Sequence, residues 1–210
     1  MTEIAPTADP LDAAEAANRT GNVARRAMID SQLRTSGVNA PFVLKRMAQV
    51  AREDHVPAHA RGTAYVDRAI ALGDGRWIAA PLFYGAALEE ADPLETDRVL
   101  LVDGGSGYMA ELLRPLVGEL TIVSVEDALE SGPDGEGANL LVIDGAVEEI
   151  PEYLARRLAE GARIVTGIAT RGVTRLAVGR HNAGKTSLIP VRDMGIPVLS
   201  AFDKPKGWSF

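Results

Sequence analysis

The feature that most constrains this chain is a series of short strand candidates in its C-terminal half, several of them unbroken apolar runs. They read VLLVD (99–103), LTIVSV (120–125), NLLVID (139–144), RIVTGI (163–168), TRLAV (174–178) and PVLSAF (197–202). A strand with one face in water alternates apolar and polar residues. Runs that do not alternate mark strands buried on both faces of a parallel sheet. Helical stretches fall between them: SGYMAELLRPLVG (106–118), and VEEIPEYLARRLAEG (147–161) with Gly161 as its stop. Pro115 breaks the first of these unless the helix kinks. Strand and helix alternating after Pro93 predict a doubly wound, Rossmann-like α/β sheet.

The chain ahead of Pro93 has another character. Residues 1–22 are polar and Ala-rich, which predicts a mobile tail or loosely docked helix. Residues 23–92 form a helical cap region, and 93–210 the α/β domain. In the cap, Ala27, Met28, Ile29 and Leu33 share one side of a helix that Gly37 ends. Asn39 and Pro41 start a second helix, with Phe42, Val43, Leu44, Met47 and Val50 on its apolar side, ending before Pro57. Residues 62–81 are turn-rich, and Gly73-Asp74-Gly75 predicts a hairpin or tight loop. PLFYGAALEEA (81–91) reads as helix again.

Composition narrows the function classes. A net charge of −7 argues against nucleic acid, whose phosphates need a basic face. The chain has no Cys, which rules out disulfides and thiolate chemistry, and His55, His59 and His181 lack metal-site spacing. No metal is expected. No apolar run approaches the ~20 residues of a membrane span, and the N-terminus lacks a signal peptide's basic and apolar regions. A cytoplasmic protein is expected.

Two glycine loops compete for attention. GRHNAGKT (179–186) satisfies the phosphate-binding pattern G-x-x-x-x-G-K-[ST] letter for letter. That loop must open a helix, yet SLIPVRDMGIP follows, β-prone and interrupted by Pro190 and Pro197. A hairpin turn is predicted instead. The other loop, Asp103-Gly104-Gly105-Ser106-Gly107-Tyr108, has the right context: a buried strand before it and an apolar helix stripe after it. Its glycines let the backbone approach a ligand closely. Glu126 ends the next strand, 21 residues past Gly105, where an acid can hold ribose hydroxyls. Asp144 ends NLLVID, at the strand ends where ligands of open α/β sheets gather. Each has a plainer role open to it: Glu126 as cap of a short helix at Asp127, Asp144 as acceptor for the next turn's N–H groups. Trp77 and Trp208 read as packing anchors.

Taken together, MIDSQLRTSGVNAPFVLKRMAQVAREDHVP (28–57), AYVDRAI (64–70), the G-D-G-x-x-I-x-x-P stretch (73–81) and VLLVDGGSGY (99–108) resemble the protein-L-isoaspartate O-methyltransferase family. The likeness continues through 139–165 and the terminal IPVLSAF. It implies an S-adenosylmethionine-dependent methyltransferase fold, acting on isoaspartyl carboxylates of damaged proteins. It implies cofactor contacts from Asp103, Gly104, Gly105, Ser106, Gly107, Tyr108, Glu126 and Asp144. It places Trp77, Ile78 and Ala79 at the substrate.

The chain departs from the family pattern at four places. Ala79 stands where the family has Ser, so no catalytic residue is assigned. The acid expected two residues before the first loop glycine is Leu101, and that first glycine is itself Asp103. Only 13 residues (126–138) separate the second and third strand runs, too few for the family's helix and further strand. The fold is thus expected to be shortened after its second strand. Asp103 can serve as a relocated acid for the cofactor's amino group. Two functions follow: methylation of isoaspartyl proteins and peptides, or a catalytically degenerate relative that has lost cofactor binding and engages a protein partner.

Overall fold

The computed structural model describes residues 21–130 and 136–204. The expectation for the N-terminal tail up to residue 20 and that for Trp208 lie outside the described residues. A six-stranded sheet runs in the order β4-β3-β5-β6-β7-β8, and a separate hairpin pairs β1 (Ile70–Gly73) with β2 (Arg76–Ile78). In the large sheet β3 (Arg98–Asp103), β4 (Glu119–Ser124), β5 (Ala138–Val147) and β6 (Leu158–Thr170) are mutually parallel. β7 (Val173–Asn182) and β8 (Lys185–Asp193) continue it as an antiparallel meander.

The apolar runs are unbroken because successive side chains enter two different cores. Val99 and Leu101 of β3, with Leu140 and Val142 of β5, face the N-terminal helices. Leu100 and Val102, with Leu141 and Ile143, face the opposite side. Alternation is present, but both destinations are dry.

The first face is covered by a helical stretch (residues 21–36), by α1 (Pro41–Gln49) and by α2 (Pro81–Ala91). Residues 21–28 are α-helical, Ile29–Leu33 widen to a π turn, and Arg34–Ser36 tighten to a 3₁₀ turn closed by Gly37 at φ +89°. Pro41 opens α1 with no N–H to lose, and Glu89 of α2 accepts the N–H groups of Asn39 and Ala40 beside it. α2 is apolar nearly all round because it is buried nearly all round, from Phe83 to Leu88.

The α/β, Rossmann-like expectation holds, with thinner cover on the second face than on the first. Among the described residues only short elements cover the second face: a 3₁₀ turn (Asp127–Leu129), α4 (Glu152–Ala155) and a 3₁₀ turn (Ser200–Phe202), which bury Ala128, Leu154 and Phe202. The helix expected over 147–161 is thus one turn long. From Leu158 the chain already pairs with β5, Leu158 opposite Ala138, and Gly161 sits inside β6 at φ +79°. Burial of Leu158, Ala162 and Ile164 in the second core outweighs the helical periodicity. PVLSAF is likewise no ladder strand: Val198 makes a single parallel bridge to Ala146 before the chain turns. The helix expected over 106–118 ends early, α3 covering Tyr108–Leu113, because Pro115 shifts the chain into a 3₁₀ turn, Arg114–Leu116.

The hairpin expectations hold. Gly73-Asp74-Gly75 turns β1 into β2, with Asp74 at φ +52°. Ala183-Gly184, both at positive φ, form the turn between β7 and β8, and Lys185 and Thr186 open β8. Pro190 lies within β8 rather than interrupting it, since an edge strand does not require every N–H. β4 forms the other edge, and no strand lies beyond it among the described residues. No helix among them is long and apolar enough to cross a membrane.

Candidate active site

From β3 the chain crosses to β4 on one side and then returns to β5 on the other. That change of direction opens a crevice at the carboxyl ends of the strands, where open α/β sheets bind ligands. Asp103 and Asp144 stand at its base. The last β3–β5 pair is Val102 opposite Ile143, so the next residues on each strand are these two acids, side by side. Both leave their strands on the face that carries the N-terminal helices.

The glycine loop closes on its own acid. The Asp103 carboxylate accepts the Gly105 N–H at 3.0 Å and the Gly107 N–H at 3.0 and 3.3 Å. Ser106 Oγ accepts the Tyr108 N–H at 3.1 Å and donates to Asp144 at 3.4 Å. Gly105 and Gly107 hold φ of +100° and +67°, angles a side chain disfavours. Gly104 is required for another reason: a Cβ there would lie 2.4 Å from the Asp144 carbonyl oxygen. Burial pushes the Asp103 carboxyl up from its ordinary value, against the two loop N–H groups that pull it down.

Asp144 is 3% exposed. Burial, and then the neighbouring Asp103 charge, push its carboxyl up to about 7, while the Tyr84 hydroxyl, donating at 3.1 Å, pulls the other way. Tyr84 in turn accepts the Ala79 N–H at 3.3 Å. Arg52, fully buried, donates Nε–H to the Ala64 carbonyl at 2.7 Å and Nη2–H to the Ala79 carbonyl at 2.5 Å. Its guanidinium lies 5.5 Å and 5.4 Å from the ring centres of Tyr84 and Tyr108, so the aromatic faces receive part of its charge. Burial lowers the Arg52 pKa from its ordinary value. His55 donates Nδ1–H to the Ser106 carbonyl at 2.9 Å and meets the Tyr108 ring edge-on.

Above this floor lies a cleft of about 500 Å³. Asp103, Gly104 and Gly105 form one side, and Ile122–Glu126 at the end of β4 another. Arg76 and Trp77 of β2 and the segment Pro197–Ala201 complete it. Glu126 is exposed, with no side-chain capping bond to the turn at Asp127. Ser124 and Asp127 bond each other there instead. Trp77 is 45% exposed, hence no packing anchor. It also borders a second groove of about 670 Å³, with Asp67, Phe83, Met194 and Pro197 among its walls.

The structure therefore brings together Asp103, Gly104, Gly105, Ser106, Asp144 and, across the cleft, Glu126. Gly107 and Tyr108 are set back from it: Gly107 faces His55, and the Tyr108 ring is buried under Arg52. Of the expected substrate contacts only Trp77 lines a cleft, while Ile78 and Ala79 are buried in the core. Sequence reasoning missed Arg52, Tyr84, His55 and Arg76. Arg52 and His55 lie inside the AREDHVP segment that carried the likeness, which was their only signal. Tyr84 gives no signal within an apolar helix.

A glycine loop at a sheet's switch point, facing an acid at the next strand's end across an open cleft, is the arrangement of an open α/β protein with a ligand crevice at its strand ends. Residues 24–131 match the sequence profile of the protein-L-isoaspartate(D-aspartate) O-methyltransferase family. The chain is 31% identical over 185 residues to the protein-L-isoaspartate O-methyltransferase of Koribacter versatilis, covering 77% of this chain and 83% of that one. It is 37% identical over 184 residues to that of Aeropyrum pernix, covering 87% and 60%. Among solved structures it is similar to a putative protein-L-isoaspartate O-methyltransferase from Plasmodium falciparum in complex with S-adenosyl-L-homocysteine. That match has a TM-score of 0.65 at 17% identity and covers 83% of this chain and 97% of that one. The chain belongs to the protein-L-isoaspartate O-methyltransferase family, and the structural likeness extends to the fold.

Proposed function

We propose that this chain binds S-adenosylmethionine in the cleft beside the Asp103–Tyr108 loop and methylates isoaspartyl carboxylates of proteins and peptides. The observation that carries the reading is the opposition of Asp103 and Glu126 across one cleft at the strand ends. The residues suit the cofactor. Glu126 has no side-chain partner among the described residues and is placed to accept from ribose hydroxyls, and Asp103 offers a carboxylate for an amino group. Gly104 and Gly105 leave the backbone uncovered beside the ligand space, and Trp77 offers a half-exposed indole on the opposite wall.

When bound, the cofactor supplies an electrophilic methyl group on a sulfonium sulfur. The accepting carboxylate is already ionised near neutral pH, so the chain's task is to position it rather than to move protons. The second groove shares Trp77, Pro197 and Val198 with the cofactor cleft, which gives an extended peptide a course past the reacting centre. Ala79 contributes no hydroxyl, and its backbone is fixed by Arg52 on the carbonyl side and Tyr84 on the amide side.

The alternative, a relative that no longer binds cofactor and engages a protein partner, is favoured by two observations. Leu101 is fully buried and apolar, and the Gly105 and Gly107 amides are already occupied by Asp103. Calorimetric titration with S-adenosylmethionine separates the two. Micromolar binding, followed by methyl ester formation on an isoaspartyl peptide, is the expected result. Absence of heat and of any melting shift at millimolar ligand overturns the enzyme reading, since ligand at 100 times Kd adds ~2.7 kcal/mol of stability.

A further inference from the structure

A loop of this kind ordinarily offers backbone N–H groups to an anionic ligand group. Here the offer is withdrawn. Asp103 takes the amides of Gly105 and Gly107, Ser106 Oγ takes that of Tyr108, and Asp103 itself lines the cleft. The charged side chains lining the cleft are Asp74, Arg76, Asp103 and Glu126. Arg76, the only cation among the described lining residues, is paired with Asp74 of its own hairpin at 3.7 Å, both side chains being exposed. Among the described residues neither Asp103 nor Glu126 forms an ion pair, although Arg76 stands close enough to pull the Asp103 carboxyl down, and Asp144 adds an acid directly beneath the loop.

We propose that this cleft is selective for the positive charge of its ligand's tail, with Asp103 as the determinant, and does not require the tail's carboxylate. The ligand class is an adenosyl compound carrying a sulfonium or ammonium tail. The inference rests on the cofactor reading above and deepens it. A carboxylate at the loop meets no free donor among Gly105, Gly107 and Tyr108 and faces Asp103 at close range, a like-charge encounter that costs affinity. An ammonium finds an acceptor oxygen that two N–H bonds have already fixed in place, so little ordering cost remains. Hydrogen bonds between charged partners are the stronger kind. The burial that raises the Asp103 carboxyl also leaves it more responsive to a cation brought close.

The test is calorimetric titration of the full chain at pH 8 with three probes: S-adenosylmethionine, its decarboxylated form, and 5′-methylthioadenosine. Decarboxylated S-adenosylmethionine is expected to bind at least as tightly as the parent, and methylthioadenosine at least tenfold more weakly. Asp103→Asn retains a carbonyl oxygen for the loop amides and is expected to shrink the charged-to-neutral ratio by about tenfold, with its melting temperature as the folding control. If the decarboxylated probe binds tenfold more weakly than the parent, the inference is overturned while the cofactor reading stands. Binding of methylthioadenosine equal to that of the charged probes also overturns it. If no probe binds at millimolar concentration, both fall together.

Discussion

Asp144→Asn replaces a buried acid by its neutral isostere, and its effect on stability is set by where the acid titrates in each state. Unfolded, the carboxyl titrates near 3.8; in the folded chain burial and the Asp103 charge hold it at about 7. Below pH ~4 both states are protonated and the group is neutral to folding. Between pH ~4 and ~7 the unfolded chain has released the proton while the native chain keeps it. Stability therefore falls as pH rises, by 1.36 kcal/mol per unit. Above pH ~7 both states are ionised and the loss is complete, at about 4 kcal/mol for a shift of this size. The asparagine does not titrate. Its carbonyl oxygen can still accept from the Tyr84 and Ser106 hydroxyls, which both meet one oxygen of Asp144, so its own cost is nearly independent of pH. Urea unfolding of both proteins from pH 4 to pH 9 is the assay. The stability of the variant relative to wild type should climb through the window and level off above pH 7, with the variant the more stable at pH 8. Parallel curves across the window would show that Asp144 does not carry a raised pKa, and would refute the account of a like-charge pair at the switch point.

Two substitutions test the loop and the opposite wall. Gly104→Ala brings a Cβ to within 2.4 Å of the Asp144 carbonyl oxygen, a backbone atom that cannot rotate away. It should cost about 1–3 kcal/mol by thermal unfolding, whereas Gly62→Ala, with nothing within 4 Å, should leave the melting temperature unchanged. Glu126→Gln should weaken S-adenosylmethionine by about tenfold in a titration, since bonds to a charged acceptor contribute about 1.5–3 kcal/mol. Because Glu126 is exposed and caps nothing, the melting temperature of the unliganded protein should not move.

The sheet was legible because its evidence is local. VLLVD and NLLVID have two dry faces, and that leaves unbroken apolar runs in any window. The second-face elements were not legible because their determinants are remote. Leu158 becomes strand through pairing with Ala138, twenty residues earlier, and a buried Arg157 guanidinium holds the preceding turn to the carbonyls of Asp127 and Glu130. Neither partner is visible in the helical spacing of EYLARRLAEG. At the site, Asp103 and Glu126 could be found because strand ends announce themselves. The network beneath could not: Tyr84 joins Ala79 to Asp144 across 60 residues, and nothing in PLFYGAALEEA marks one ring among several as polar in role.

The shortened connection after β4 and the acid at Asp103 bear on the same cleft and act in opposite directions. With β4 at the sheet edge, Ile122 is 41% exposed, and no strand beyond it walls that side among the described residues. A nucleoside there buries less apolar surface, and binding that depends on area at ~25 cal/mol per Å² is correspondingly weaker. Charge is the compensation such a cleft has available. Asp103 is partly buried and bonded to two amides, and Arg76 stands near it without forming an ion pair, so a positive tail gains an interaction that solvent screens only in part. The same asymmetry bears on turnover. A ligand loses its sulfonium charge when its methyl group departs, and the attraction that held it to Asp103 drops with it. An open adenine side and a charge-dependent tail contact together predict that the demethylated product dissociates faster than the cofactor. Stopped-flow fluorescence of the half-exposed Trp77 measures both off-rates, and a product that leaves more slowly than the cofactor would contradict this coupling of charge to release.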